Sequence, residues 1–339
     1  MTATSNLRIV AARRGPPAVL RPIEEAAPVP GAGQVLVRVL AAGVGWADVM
    51  MREGVYPGAK FPLTPGYDIV GVVEDGAAEA GGLQSGETVA ALTVHGGYSR
   101  YIVLPASELV RVPAGLDPVE AVSLVLNFVT AYQMLHRCAD VSEGDTILVH
   151  GAAGGVGTAL LQLARLAKFR VIGTSSSGKA ALVTSLGASH IDYRTEDFVA
   201  RTKELCGGAV AAFDPIGGAH WKRSYAALRP SGILVAYGAS TVLSGGRFDL
   251  RRVLAFVAGK PSFAADRLLS DGKGVTGYTI VEWKGGRPAA FRADLAHLFE
   301  LLAARAIEPI IAERIPLAEA ARAHELLGKA QVTGKIVLV

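Results

Sequence analysis

The residues best spaced to do chemistry lie in the segment TILVHGAAGGVGTALLQLARLAK. There Gly151, Gly154 and Gly157 stand three apart, between an apolar β-type run and a helical run with Leu160, Leu163, Ala164 and Ala167 on one face. A strand that turns sharply into a helix needs φ freedom, close backbone approach and tight helix–strand packing, and glycine supplies all three. The amides of the first helical turn have no partner in the helix and point at whatever anion lies beyond it. The spacing G-x-x-G-x-x-G departs from the G-x-G-x-x-G of dinucleotide-binding turns. The strand, turn, helix and second strand nevertheless follow in the order that chemistry requires. Gly151, Gly154, Gly155, Val156 and Gly157 are therefore candidate pyrophosphate contacts; the competing reading is a tight turn with no ligand.

The second strand decides which dinucleotide. NAD-binding units place an Asp or Glu about 20 residues beyond the turn, on the ribose hydroxyls. Here the strand ends GTSSSGK, and no acid occurs between Gly157 and Asp192. Ser175, Ser176 and Lys179 offer hydroxyls and a cation instead, which suits the 2′-phosphate of NADP(H). These residues also have ordinary readings, as helix-capping serines and a solvated lysine.

The rest of the composition excludes other classes. The 34 Lys and Arg are scattered among 30 Asp and Glu, with no basic run interleaved with aromatics, which argues against a nucleic-acid surface. Two cysteines, Cys138 and Cys206, supply neither a disulfide framework nor the C-x-x-C pairs of a structural zinc lobe. The N-terminal segment lacks the apolar core of a signal peptide, and no apolar stretch reaches the ~18 residues of a membrane span. The expectation is a cytoplasmic protein with no membrane span.

These candidate residues need a scaffold. At 339 residues, two domains are expected. The first third reads as short β-branched strands (Leu7–Ala11, Val35–Ala42, Ile69–Glu74, Thr88–Leu92, Tyr98–Leu104) with a short helix at Trp46–Arg52 and a Pro/Gly-rich loop at Tyr56–Gly66. One or two apolar helices follow over Pro118–Arg137. Strands and helices then alternate from Thr146 to Gly238, the pattern of a parallel sheet covered on both faces. Beyond Ser240 the sequence is less regular up to Lys273. Gly277–Val281 is expected to add a sixth strand, Asp294–Arg305 and Ala318–Leu327 to be helices, and Lys335–Val339 to close as a strand.

With HGAAGGVG, the β-rich first third and the ending HELLGKAQVTGKIVLV, the chain resembles the medium-chain dehydrogenase/reductases. It is most similar to their zinc-free quinone oxidoreductase branch, which also holds vesicle amine transport protein homologues and enoyl reductases. That resemblance implies an α/β fold: a GroES-like β-rich catalytic domain of residues 1–125 and 288–339, with a Rossmann doubly wound parallel-sheet domain of residues 126–287 inserted. It also implies an active cleft between the two and a homodimer. The zinc enzymes of the family carry ligands where Gly45, Tyr67 and a residue near Leu126 stand here, and none of these can bind zinc. EGVYP matches the G-x-Y-P whose tyrosine lies beside the nicotinamide, so Tyr56 is implied at the cofactor and in proton delivery. Tyr67 and Asp48 complete the catalytic candidates, although Asp48 also reads as a structural turn residue and Tyr67 as a filler of the lost zinc site. Trp46 is a candidate wall of the substrate pocket. Thr130, Tyr193, Gly217, Tyr237, Gly238 and Ala239 match cofactor-lining positions.

The implied activity is hydride transfer from NADPH to a quinone or an α,β-unsaturated carbonyl, with no metal. A 2-enoyl thioester reductase is the alternative within the enzyme class, with Arg247, Arg251, Arg252 and Lys260 available for a CoA or phosphopantetheine arm. A catalytically silent NADPH-binding protein on the same fold is the alternative outside it.

Overall fold

The computed structural model describes residues 4–76 and 82–339. The chain divides into two compact units, one of Met1–Leu126, Gly245–Phe248 and Ala289–Val339, the other of Asn127–Ser244 and Asp249–Pro288.

The first unit is built on a seven-stranded sheet. Its spine is the long strand Gln34–Val44, which pairs antiparallel with Asp68–Asp75 on one side and with Lys335–Leu338 and Tyr101–Pro105 on the other. Alternation along these strands sends Val35, Val37, Ile69, Val73, Val89, Ile336 and Leu338 into one core with Ile9, Tyr98 and Ile315. Ser5–Ala11 does form a strand, but its partner Leu20–Ala26 was not expected. The sequence LRPIEEA carries a proline and two acids, and it pairs along one side only, where Pro22 removes no needed donor.

One polar contact is sealed inside this sheet. Lys335 Nζ lies 3.0 and 3.2 Å from the two carboxylate oxygens of Asp68, and the residues are 3% and 0% exposed. Gly43 makes room for the pair, since a Cβ there would meet Asp68 and Lys335 at 2.5 Å. The pair ties the start of one strand to the start of the last strand of the chain. Burial pushes the Asp68 carboxyl above its ordinary range, and Lys335 opposes that shift.

The second unit holds a six-stranded sheet in the order Ser189–Asp192, Arg170–Ser175, Thr146–His150, Ala209–Asp214, Leu228–Ala236 and Gly274–Gly277, every neighbouring pair parallel. The chain winds outward in one direction from Thr146–His150 and then restarts beside it at Ala209–Asp214. The strand order therefore reverses between these two, which leaves a crevice beyond their carboxyl ends. Leu148, Ile172, Ile191, Ala212 and Leu234 pack with Phe198 and Tyr225 in its core.

Three expectations need correction. The sixth strand is Gly274–Gly277, and Ile280–Gly286 is helix because the Thr279 side chain caps its first turn. The segment after Ser240 contains two helices, Leu250–Gly259 (capped by Asp249) and Ala265–Asp271. Lastly, Pro118–Cys138 is one 21-residue helix containing two wider turns, and it is long and apolar enough by length and composition to span a membrane. About 78% of that window is buried inside the chain, the behaviour of a core helix.

Replacing Lys335 with Met leaves the Asp68 carboxylate buried and unpaired. Urea unfolding should show a loss of roughly 3–5 kcal/mol, most of it recovered by the double change Asp68→Leu/Lys335→Met.

Candidate functional site

The glycine turn sits where the strand order reverses. Gly151 takes a left-handed φ of 64° directly after the strand Thr146–His150, and the Gly154 amide closes the turn on the Gly151 carbonyl at 2.9 Å. The helix Gly155–Leu166 starts immediately. A Cβ on Gly157 would lie 2.2 Å from the Gly151 carbonyl oxygen, and one on Gly155 would lie 2.2 Å from Asn127 Nδ2. The backbone around Gly157 therefore admits no side chain there, and one at Gly155 would have to displace the Asn127 amide. The turn leaves the first-turn amides of Gly155, Val156 and Gly157 without acceptors in their own helix. Free first-turn amides of this kind suit a phosphate oxygen.

The second strand ends beside it. Ser175 is buried, and its hydroxyl lies 3.0 Å from His190 Nε2 on the neighbouring strand. Ser176 and Lys179 follow, both half-buried. Burial lowers the Lys179 ammonium, and the Arg194 charge lowers it further. Arg194 also lies over the Tyr193 ring, 5.8 Å from its centroid, and that ring is 53% exposed. The sequence reading missed Arg194 and His190, which reach the site only because strands Arg170–Ser175 and Ser189–Asp192 pair in parallel. The same pairing brings in the acid that the second strand lacks, Asp192. Its oxygens accept the Ser177 and Arg194 amides at 3.1 and 3.0 Å, and these bonds hold its pKa below the ordinary range, the Arg194 amide contributing most.

On the other side of the reversal, Asp214 ends the strand Ala209–Asp214. Its Oδ1 accepts the amides of Ile216 and Gly217, and its Oδ2 accepts from His220 Nδ1 at 2.7 Å and from Ser224 Oγ at 2.6 Å. Burial alone would raise this carboxyl; the His220 hydrogen bond and the neighbouring histidines outweigh it and bring the pKa down to about 2. His150 is sealed beneath the turn, with Nδ1 on Thr174 Oγ1 at 3.0 Å and Nε2 on Ser224 Oγ at 3.1 Å. Its burial depresses the imidazole pKa to about 3. The ligand atoms of His150, Asp214 and His220 lie within 4.8 Å of one another, a spacing a metal ion could use. The Ser224 hydroxyl, within 3.3 Å of an atom of each, already occupies the middle of the group. This cluster is a closed hydrogen-bond network that fixes the two strand ends. Gly217 follows the strand Ala209–Asp214, Tyr237, Gly238 and Ala239 follow the next strand Leu228–Ala236, and Thr130 is buried in the long helix at 6% exposure.

In the first unit the helix Trp46–Arg52 begins at Gly45, with Asp48 at its third position. Asp48 Oδ2 accepts the Gly45 amide at 2.8 Å and Oδ1 the Gly66 amide at 2.9 Å. One carboxylate thus caps a helix and pins the loop that leads into Tyr67. Burial raises its pKa to about 7 against the pull of the two amides, with the Asp68 charge adding to the rise. Tyr67 is 4% exposed, and its hydroxyl is 2.7 Å from that of half-buried Tyr56. Burial, then the Tyr56 hydrogen bond, pushes the Tyr67 phenol far above its ordinary range. The Trp46 indole N–H is buried with no hydrogen-bond partner among the described residues. Of the three positions where related enzymes hold zinc, two are in contact range: a Cβ on Gly45 would lie 3.2 Å from Leu126 Cδ2. Glycine, tyrosine and leucine there offer no tetrahedral N/S donor set.

Residues 31–114 match the alcohol dehydrogenase GroES-like domain and residues 186–338 the zinc-binding dehydrogenase model. The chain is 33% identical over 338 residues to a quinone oxidoreductase of Pseudomonas aeruginosa, covering 98% of this chain and 99% of the relative. It is 33% identical over 320 residues to a 2-haloacrylate reductase of Burkholderia, covering 91% and 92%. It is 32% identical over 316 residues to the rat synaptic vesicle membrane protein VAT-1 homolog, covering 92% and 78%. The Escherichia coli quinone oxidoreductase solved in complex with NADPH superposes with a TM-score of 0.86 at 27% identity, covering 98% of this chain and 99% of that one. The chain belongs to the medium-chain dehydrogenase/reductase family, as an oxidoreductase of its quinone oxidoreductase branch.

The Asp48 shift has a sign that can be measured. Its folded pKa of about 7 exceeds the ordinary 3.8, so the folded chain keeps a proton that the unfolded chain releases between about pH 4 and pH 7. Stability contributed at this residue should fall as pH rises through that window and level off above it. In urea unfolding across the window, the stability of wild type should fall relative to that of Asp48→Asn as pH rises, the difference levelling off above about pH 7.

Proposed function

We propose that this protein is a zinc-independent, NADPH-dependent reductase that delivers hydride to a quinone or to the β-carbon of an α,β-unsaturated carbonyl. The single observation that carries the reading is the charge at the ribose end of the dinucleotide turn. Lys179 and Arg194 stand beside Ser175 and Ser176, and the nearby acid Asp192 is spent on backbone amides. That arrangement suits a 2′-phosphate and offers little to a 2′-hydroxyl. The fit extends to the pyrophosphate, because the first-turn amides of Gly155, Val156 and Gly157 have no acceptor in their own helix. Gly151–Gly157 would hold the pyrophosphate, Ser175, Ser176, Lys179 and Tyr193 the adenosine phosphate, and Thr130, Gly217, Tyr237, Gly238 and Ala239 the nicotinamide end. NADPH supplies the hydride when bound.

With no Lewis acid at positions 45, 67 and 126, hydrogen-bond donors must stabilise the oxyanion that develops on the acceptor. We assign that task to the Tyr56 hydroxyl, with Trp46 bordering the acceptor. Asp48 has both oxygens on backbone amides and acts as a positioning residue. The quinone oxidoreductase and 2-haloacrylate reductase relatives support acceptors with a polarised double bond. The same reading carries a cytoplasmic homodimer.

One feature favours a second reading, a 2-enoyl thioester reductase. Arg251, Arg252 and Lys260 are all exposed on or just after the helix Leu250–Gly259, as the phosphates of a CoA arm would require. Turnover of crotonyl-CoA well above that of simple quinones would establish it.

Steady-state rates with NADPH and NADH over a quinone, enone and enoyl-CoA panel test the main reading. Lys179→Gln should lower kcat/KM for NADPH roughly tenfold to a hundredfold and leave that for NADH nearly unchanged. Tyr56→Phe should lower kcat on an enone by about tenfold or more. An unchanged kcat across several acceptors would remove the donor role of Tyr56.

A further inference from the structure

The two facing tyrosines carry more than either does alone. The hydroxyls of Tyr56 and Tyr67 are 2.7 Å apart, and their rings meet edge to face with centroids 6.1 Å apart. Tyr67 is held on all sides. The amide before it, Gly66, is bonded to Asp48 Oδ1, and its own carbonyl accepts the amides of Thr93 and Val94 at 2.9 and 3.1 Å. Its side chain is 4% exposed, and Tyr56 is the only hydrogen-bond partner of its hydroxyl among the described residues.

That geometry fixes the direction of the bond. If Tyr56 donated to Tyr67, the Tyr67 proton would be buried with no acceptor, a loss larger than that of an ordinary hydrogen bond. The satisfied arrangement has Tyr67 donating to the Tyr56 oxygen. The buried Asp48 and Asp68 reinforce it, since both disfavour a phenolate at Tyr67. Tyr67 therefore keeps its proton and serves as a fixed donor. The Tyr56 proton must then point away from the pair.

We propose that Tyr67 is a positioning residue of the reduction: by donating to the Tyr56 oxygen it turns the Tyr56 O–H toward the acceptor oxygen and stabilises the phenolate left when that proton is given up. The inference rests on the donor role proposed for Tyr56. In the balanced reaction, bound NADPH would supply a hydride, with its two electrons, to the β-carbon and would end as NADP⁺. The conjugated double bond shifts to an enolate, the Tyr56 O–H bond breaks as the enolate is protonated, and water returns a proton to Tyr56. Tyr67 forms and breaks no covalent bond.

The test uses Tyr67→Phe, Tyr56→Phe and the double variant in the full chain, with NADPH and 2-cyclohexenone. Tyr67→Phe should lower kcat roughly tenfold to a hundredfold with KM for NADPH unchanged, and it should have no further effect in the Tyr56→Phe background. A second readout is free of turnover: NMR titration of ¹³Cζ-labelled tyrosine in the unliganded protein. Tyr56 should ionise before Tyr67, and Tyr67→Phe should move the Tyr56 titration to higher pH. The charged groups facing Tyr67 (Asp48, Asp68 and, through Asp68, Lys335) are the same in both proteins. An equal loss in both backgrounds would mean a merely structural Tyr67 and would overturn the inference, as would an unmoved Tyr56 titration. If Tyr56→Phe lowers kcat and Tyr67→Phe does not, the inference alone fails. If Tyr56→Phe is itself without effect, the donor reading fails and takes the inference with it.

Discussion

A carboxylate cut off from water has to spend its lone pairs on the protein, and much of the first unit follows from where Asp48 spends them. It bonds the Gly45 amide at the start of one helix and the Gly66 amide in the loop before Tyr67. Two segments more than fifteen residues apart are thereby held at one point. The residues proposed for chemistry in this unit lie around that point: Trp46 one residue past the first contact, Tyr67 one residue past the second, and Tyr56 against Tyr67. Next to it the buried pair Asp68–Lys335 fastens the last strand of the chain to the same corner of the sheet. Related enzymes hold zinc in the neighbourhood of these positions. Here Gly45 lies against Leu126, and Tyr67 is hydrogen-bonded to Tyr56.

The second unit depends on a different constraint, the reversal of strand order. Parallel strands joined by right-handed crossovers leave an open crevice only where winding changes direction. That place is bounded by Gly151 on one strand and Asp214 on the next. His150, Ser224 and Asp214 fasten the two strand ends beneath the crevice with bonds that satisfy each group. A network so closed is suited to rigidity, and a nearly neutral, deeply buried His150 adds no charge beneath the turn.

The glycine turn was legible because its signal is local: three glycines, a strand before and a helix after lie within one stretch of chain. The alternation of strands and helices over Thr146–Gly238 was legible for the same reason. Leu20–Ala26 escaped because proline and acids make a poor strand by propensity, and only its antiparallel partner recruits it. The helices after Ser240 were missed although Leu250, Leu254 and Val257 recur at helical spacing on one face; that face is exposed rather than packed on a core.

By itself the sequence determined that a dinucleotide turn exists, that its second strand carries hydroxyls and a lysine in place of an acid, and that positions 45, 67 and 126 lack metal donors. These are matters of residue type at short spacing, and residue type survives without a fold. Tertiary structure alone decided that Arg194 and His190 join Ser175 and Lys179, that Asp192 comes to the same place already bonded, and that Tyr56 meets Tyr67 hydroxyl to hydroxyl. Those meetings depend on strand register and on which loop Asp48 pins. Register is set by burial summed over whole strands, so no short run of residues could have announced it.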